Sequence, residues 1–329
     1  MSKLSLSIGI GNYDRVRAIA DGDVQIDGVD PVFMWLEPEE IFFRAFRNAE
    51  FDICELSLSS YSVKTAANDC PYVAIPVFPS RAFRHTAIYV RTDRIKSPAD
   101  LRGKTVGLPE WQLTANVWAR AILEDDHGVK PSEMNWVRAG LEMPGRIEKI
   151  ALDLPPDIRI SNAAPDKTLN RMLADGEIDA IIAPRAPSCM EQGHPDVGYL
   201  FPDTQQAACE YYARTKIFPI MHVLGIRRTL VERHPWLPMA ALKAFTAAKN
   251  LAQHRLADPS ASKVTLPFIE EAVARARKLI GEDWWPYGLE ANRHLLETFL
   301  RHHHAQGLSA RRLAPEELFH PSTVESFKI

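Results

Sequence analysis

Phe78-Pro-Ser-Arg-Ala-Phe-Arg-His-Thr-Ala-Ile-Tyr-Val-Arg91 is the stretch on which the reading of this chain turns. Ala87, Ile88, Tyr89 and Val90 form an apolar, β-prone run, so the stretch ends as a strand. Before it stand Pro76 and Pro79, then Arg81, Arg84 and His85 within five positions. Unpaired buried charge is costly, so a buried strand that opens on three potential cations faces something negative. Arginine pairs grip planar carboxylates through parallel hydrogen bonds, and histidine exchanges protons near neutral pH. An anionic small molecule is one reading of this cluster; a solvated basic loop is the other.

On either side the chain alternates strands and helices. Lys3 to Ile10 alternates polar and apolar residues as a strand does, and Gly9-Ile-Gly-Asn-Tyr-Asp-Arg15 turns into a helix near Asp14. The turn lacks the full G-x-G-x-x-G of a dinucleotide loop. Val32–Leu36 reads as a second strand, Pro38 starts an amphipathic helix, and Phe51–Ser57 reads as a third strand running into a short helix through Ala67. Asn12, Tyr13, Arg15, Ser57, Ser59 and Ser60 fall at the carboxyl ends of these strands, where open α/β sheets place their ligands.

A second α/β unit follows, with a strand at Lys104–Leu108 leading to Glu110, and a helix from Thr114 that closes near Gly128. Next come a strand at Asn135–Val137, a loop holding Glu142, Arg146 and Glu148, a helix at 168–176 and a strand at 178–183. A strand near 218–226 then returns, and long helices complete the chain. The expected architecture is α/β with two lobes and a ligand cleft between them, joined by two crossing strands. Residues 1–91 and 205–329 are assigned to the first lobe and 92–204 to the second. The His302-His303-His304 run reads as the solvated end of a helix.

Composition excludes several functions. The 329 residues are 46% hydrophobic and 25% charged, with a formal net charge of −3, which leaves no electrostatic footprint for nucleic acid or an anionic membrane. No apolar run approaches the ~20 residues needed to span a bilayer. The opening residues read as a core strand rather than a secretory signal, so the expected location is the cytoplasm. Cys54, Cys70, Cys189 and Cys209 show no C-x-x-C spacing and read as reduced thiols. Self-association into a homo-oligomer is left open.

Several segments carry a family resemblance: Asp52-Ile-Cys-Glu-Leu-Ser-Leu-Ser-Ser-Tyr61, Phe78 to His85, Leu108-Pro-Glu-Trp-Gln-Leu-Thr-Ala115, Gly140-Leu-Glu-Met-Pro-Gly-Arg146, Ile217-Phe-Pro-Ile-Met-His222, Trp285-Pro-Tyr-Gly288 and Pro315-Glu-Glu-Leu-Phe319. Together, in order along the whole chain, they resemble the 4,5-dihydroxyphthalate decarboxylase family, whose members are similar in fold to type 2 periplasmic binding proteins. Residues 155–167 match least well. The resemblance implies a carbon–carbon lyase that converts 4,5-dihydroxyphthalate to protocatechuate and CO2 with no organic cofactor. A hydroxyl para to the departing carboxylate pushes electron density onto the carbon that bears it; protonation there releases CO2.

Such a route needs cations at the carboxylates, a base at the phenol and an acid above the ring. Arg81, Arg84 and Arg146 are the expected carboxylate clamps, with Arg15 in reserve. His85 and His222 are the candidates for proton transfer, and Glu110 for phenol base or orienter of a histidine. Ser57, Ser59 and Ser60 are candidates for binding substrate oxygens or for capping a helix, and Tyr13 or Tyr211 for stacking on the ring. His85, Glu110 and His222 form a conceivable two-histidine, one-carboxylate metal set, but no H-x-x-x-H or H-E-x-x-H spacing supports it; the expectation is that no metal is required. The rival from another class is a non-catalytic solute-binding protein for a small anionic ligand.

Overall fold

The computed structural model describes residues 3–324. Among these residues the chain forms two compact units. One gathers the residues up to Arg81, Ile220–Glu297 and those from Leu313 on; the other gathers Ala82–Pro219 and Thr298–Arg312.

The first unit begins with β1 (Leu4–Ile10), α1 (Asp14–Ala20), β2 (Val29–Trp35), α2 (Pro38–Asn48), β3 (Ile53–Ser57), α3 (Leu58–Ala66) and β4 (Tyr72–Arg81). Every residue of β3 is buried, whereas β2 is only partly so. That contrast follows from the sheet order β2-β1-β3-β11-β4, where β11 is Ile220–Arg227, β3 is central and β2 lies at an edge. Strands β1, β2 and β3 are mutually parallel, and β11 (Ile220–Arg227) runs antiparallel between β3 and β4. The two edge strands carry the prolines, Pro31 in β2 and Pro76 and Pro79 in β4, as expected for a residue that cannot donate to a ladder. Helices α8 (Arg228–Arg233), α9 (Leu237–Leu256) and α10 (Ile269–Leu279) and the first residues of α11 (Arg293–Ala305) complete this unit.

The second unit opens with a 3-10 turn, Arg84–Ala87, and contains β5 (Ile88–Arg91), β6 (Thr105–Leu108), α4 (Thr114–His127), β7 (Asn135–Arg138), β8 (Arg159–Asn162), α5 (Leu169–Ala174), β9 (Ala180–Ile182), α6 (Ser188–Glu191), β10 (Val197–Tyr199) and α7 (Thr204–Thr215). Its sheet order is β10-β5-β9-β6-β7-β8. Gly128 ends α4 in the left-handed region at φ +65°, the conformation that glycine adopts without strain. Among the described residues no helix is long and apolar enough to cross a membrane.

The expected lobe boundaries at 91 and 205 move inward to Arg81 and Ile220. Ile88–Val90 does not lead out of the first unit: it pairs with Ala180–Ile182, and Tyr89 packs into a cluster with Leu169, Leu173, Ile178 and Ile181. Helix α7 joins the second unit because Tyr211 meets His85 edge-on and Arg214 pairs with Asp126 at 3.0 Å. Residues 298–312 also belong there, since Phe299 lies against Trp118 and the Gln306 carbonyl accepts Trp111 Nε1 at 2.9 Å. Of the histidine run only His304 is exposed. His302 and His303 are buried, with His302 Nε2 2.8 Å from Asp125 Oδ2 and His303 Nδ1 3.1 Å from the Ser309 hydroxyl.

Candidate active site

In the first unit the polar groups converge on Glu55, the middle residue of β3 and fully buried. Its Oε2 accepts the Gly11 N–H at 2.9 Å, and its Oε1 accepts the Tyr13 hydroxyl at 3.0 Å. His222 Nδ1 lies 2.8 Å from the same Oε1, at ion-pair distance but outside hydrogen-bond alignment. Glycine is required at position 11, because a Cβ there would lie 2.5 Å from the Tyr13 ring. Burial, and then the neighbouring Glu55 charge, push the Tyr13 hydroxyl well above the usual phenol range, so it stays protonated and donates.

Local strand geometry aims His222. It faces Ser57 across β3 and Ser80 across β4, and the β11–β4 register shifts on both sides of it. A bulge bends the strand and re-aims its side chains. Phe42 meets the imidazole edge-on at 4.8 Å, and the side chain retains 15% exposure beside a carboxylate with none.

Around this pair lie other expected residues. Arg15 sits over the rings of Tyr13 (4.2 Å) and Trp285 (4.5 Å) and donates to the Pro79 carbonyl at 2.6 Å and to Asp14 at 3.1 Å. Arg81 is buried and donates to the Pro286 carbonyl at 2.6 Å and to Asn292 Oδ1. Both guanidiniums therefore tie β4 to the segment around Trp285 and Pro286. Ser57, Ser59 and Ser60 are buried at the start of α3, where the Ser57 hydroxyl caps the helix by accepting from Ser60 N–H at 3.4 Å.

The second unit holds the remaining candidates in two groups. Glu110 is fully buried after β6; its Oε1 accepts from Arg146 at 2.6 Å and from Lys149 at 3.0 Å. His85 is buried between the rings of Phe201 (5.1 Å) and Tyr211 (5.2 Å), and its Nδ1 has no hydrogen-bond partner among the described residues. Burial, helped by the charges of His127 and Arg214, pushes His85 down to about 4, so it is neutral at physiological pH. Burial also lowers the neighbouring Arg84 to about 10. Tyr211, a candidate for stacking on the substrate ring, packs edge-on against the imidazole of His85.

The proposed metal trio divides accordingly. His222 is paired with Glu55, Glu110 with Arg146 and Lys149, and His85 lies among aromatic rings. Among the described residues, no group of three or more His, Cys, Asp or Glu side chains is placed to hold a metal ion. Sequence reasoning missed Glu55 and Lys149. A signal for Glu55 was present: a carboxylate inside the apolar run Ile53–Leu56 must be compensated by something.

Comparison with known proteins agrees with this fold. Residues 57–149 match the family described as NMT1/THI5 like. The aliphatic sulphonate binding protein SsuA of Escherichia coli superposes with a TM-score of 0.56 at 14% identity, over 97% of this chain and 98% of that one. A sulfonate-binding protein of Methylobacillus flagellatus gives 0.55 at 14% identity, over 98% and 93%. These likenesses show the fold of the type 2 periplasmic binding proteins. In sequence the chain is 65% identical over 213 residues to the 4,5-dihydroxyphthalate decarboxylase of Pseudomonas putida, covering 64% of this chain and 83% of the relative. It is 63% identical over 330 residues to the 4,5-dihydroxyphthalate decarboxylase of Comamonas testosteroni, spanning the whole of both. With this identity along its full length, the chain belongs to the 4,5-dihydroxyphthalate decarboxylase family.

Proposed function

We infer that this protein is a carbon–carbon lyase that decarboxylates 4,5-dihydroxyphthalate to protocatechuate and CO2. The observation that carries the reading is the 63% identity, end to end, to a protein named for that reaction. The pairing of His222 with buried Glu55 supports it from the geometry, since a receptor for an anion needs cations more than it needs an acid–base pair. The likeness to sulfonate-binding proteins bears on fold alone, which does not fix function.

In this reading His222, held at Nδ1 by Glu55, delivers a proton from Nε2 to the ring carbon bearing the departing carboxylate. The carbon–carbon bond then breaks, its electron pair returns to the ring and CO2 leaves. His222 takes its next proton from solvent. Tyr13 shares Glu55 and orients the pair. Arg15 and the serines at the start of α3 are the groups proposed to hold substrate oxygens beside His222. Arg81, tied to a carbonyl and to Asn292, is assigned to shaping the site rather than clamping. The free thiols of Cys54, Cys70, Cys189 and Cys209 support a reducing compartment, the cytoplasm.

The test is to incubate EDTA-treated protein with 4,5-dihydroxyphthalate and to follow CO2 and protocatechuate, with His222→Ala alongside. Turnover by the wild type that falls at least ~10²-fold in the variant is expected. Activity regained only with a divalent ion would add a metal to the machinery while keeping the reaction. Tight binding of the diacid with no turnover under either condition would replace the lyase by a receptor.

A further inference from the structure

Lys249 is buried on α9, with its side chain only 2% exposed and its ammonium 2.7 Å from Asp283 Oδ1. Lysine is almost never fully buried unless paired, and such a pair is weak evidence for stability because desolvation offsets the attraction. Its place in the fold tells more. The same Asp283 oxygen accepts the Trp285 backbone N–H at 3.2 Å. From there residues 283–288 run as a strap along β4, an edge strand. Trp285 Nε1 donates to the Phe78 carbonyl at 2.9 Å and the Gly288 N–H to the Pro76 carbonyl at 2.8 Å, so alternate carbonyls of the edge strand take the strap.

The strap brings the Trp285 ring onto Arg15. The guanidinium carbon lies 4.5 Å from that ring and 4.2 Å from the ring of Tyr13, and a cation over an aromatic face is attracted by its quadrupole. Arg15 Nε donates to the Pro79 carbonyl at 2.6 Å and Nη1 to Asp14 at 3.1 Å. A guanidinium carries five N–H groups; these bonds use two, and among the described residues no acceptor takes Nη2. The side chain keeps 16% of its surface exposed, enough for a ligand to reach it. Tyr13 in turn donates to Glu55, the carboxylate beside His222. The pinned cation therefore stands next to the acid–base pair, within the first unit.

We propose that Trp285 is a positioning residue: braced by Asp283 and buried Lys249, it holds the Arg15 guanidinium so that Nη2 receives a carboxylate of the aromatic diacid. The proposal rests on the decarboxylase reading, in which Arg15 holds substrate oxygens, and names what fixes that grip. An arginine on a free stem loses rotamer freedom when it closes on a ligand. One already pinned loses little, so affinity rises without a new contact. The gain falls on carboxylates, whose charge strengthens the hydrogen bond, and spares neutral analogues of the same shape. Since His222 supplies the proton to the ring, the brace acts on substrate binding and not on proton transfer.

Calorimetric titration of the full chain with phthalate and with phthalamide, its neutral diamide, tests the brace. The wild type should prefer the dianion by about tenfold or more, the worth of a hydrogen bond between charged groups. Trp285→Leu and Lys249→Met should cut that preference by about three- to tenfold, while Trp285→Phe and Lys249→Arg should keep most of it. In turnover of 4,5-dihydroxyphthalate the first two variants should raise KM by a like factor with kcat little changed. Adding Lys249→Met to Arg15→Ala should change the preference no further, because both act through one grip. A purely structural role would lower the denaturant midpoint and leave the preference and KM unchanged. That result in either folded variant, an additive double variant, or no preference in the wild type would overturn the brace. Asp283 is 49% exposed, so removing Lys249 strands no buried carboxylate, and Lys249→Met decides the matter if Trp285→Leu does not fold. A preference that the variants cut, without turnover by the wild type, would refute the decarboxylase reading and spare the brace; turnover with preference and KM unmoved by the variants would do the reverse.

Discussion

A carboxylate in the middle of a fully buried strand survives only if donors surround it, and Glu55 has the Gly11 amide and the Tyr13 hydroxyl, with His222 at ion-pair distance. Glu55→Gln keeps one acceptor oxygen, for the Gly11 amide, turns an amide N–H towards the Tyr13 hydroxyl, which can accept it, and removes the negative charge that faces His222. We expect kcat to fall about 10- to 100-fold with KM little changed, since the residue acts through the imidazole rather than on substrate; steady-state kinetics on folded protein would show it, and an unchanged kcat would remove the pair from the mechanism. His85 offers a test of stability. Its pKa is about 4 when folded, against 6.5 for the free side chain, so the unfolded chain binds the extra proton between those values. Its contribution is therefore complete above pH 6.5 and is lost as pH falls towards 4, by up to about 3 kcal/mol. Denaturant titrations at pH 7 and pH 5 should show a loss in the wild type that is smaller in His85→Leu; equal losses would mean that other groups dominate.

At the scale of elements, helix α11 carries the least expected role. Its apolar stripe is plain in Leu295, Leu296, Phe299 and Leu300, but the stripe does not say which surface it covers. Phe299 is fully buried with its ring 5.4 Å from Trp118 of α4. Phe299→Ala should cost about 3–5 kcal/mol, read as a lowered denaturant midpoint with an unchanged slope. A loss below 1 kcal/mol would show that the second unit does not depend on this contact. Strand β4 was missed because Pro76 and Pro79 argue against a central strand; its place at the sheet edge removes the objection. Strands β8 and β10 hold no fully buried residue, so no apolar run marks them in the sequence.

At the scale of the whole molecule, thiol chemistry reports on the integrity of both units. Cys54, Cys70 and Cys189 are buried, and burial raises all three, Cys70 to about 11. Cys209 is only half-buried. With a disulfide reagent at pH 8, one thiol per chain should react promptly in the native protein and four in denaturant, because the thiolate is the reacting form and needs access. Prompt reaction of three or four native thiols would contradict this packing.

The sequence by itself determined the α/β class, most of the strands and helices, and the family, because side-chain periodicity and contiguous motifs are local properties of a chain. The identities of the chemically capable residues, His85, His222, Glu110 and the arginines, were legible for the same reason. Only the tertiary structure decided which of them share a proton or a charge. That Glu55 lies beside His222 depends on a ladder joining residues far apart in the chain, and that two cations crowd one oxygen of Glu110 depends on a loop anchored by Glu148. Burial, which makes His85 neutral and ties up Arg81, is likewise set by the folded surroundings, since water is excluded only when distant segments close around a group.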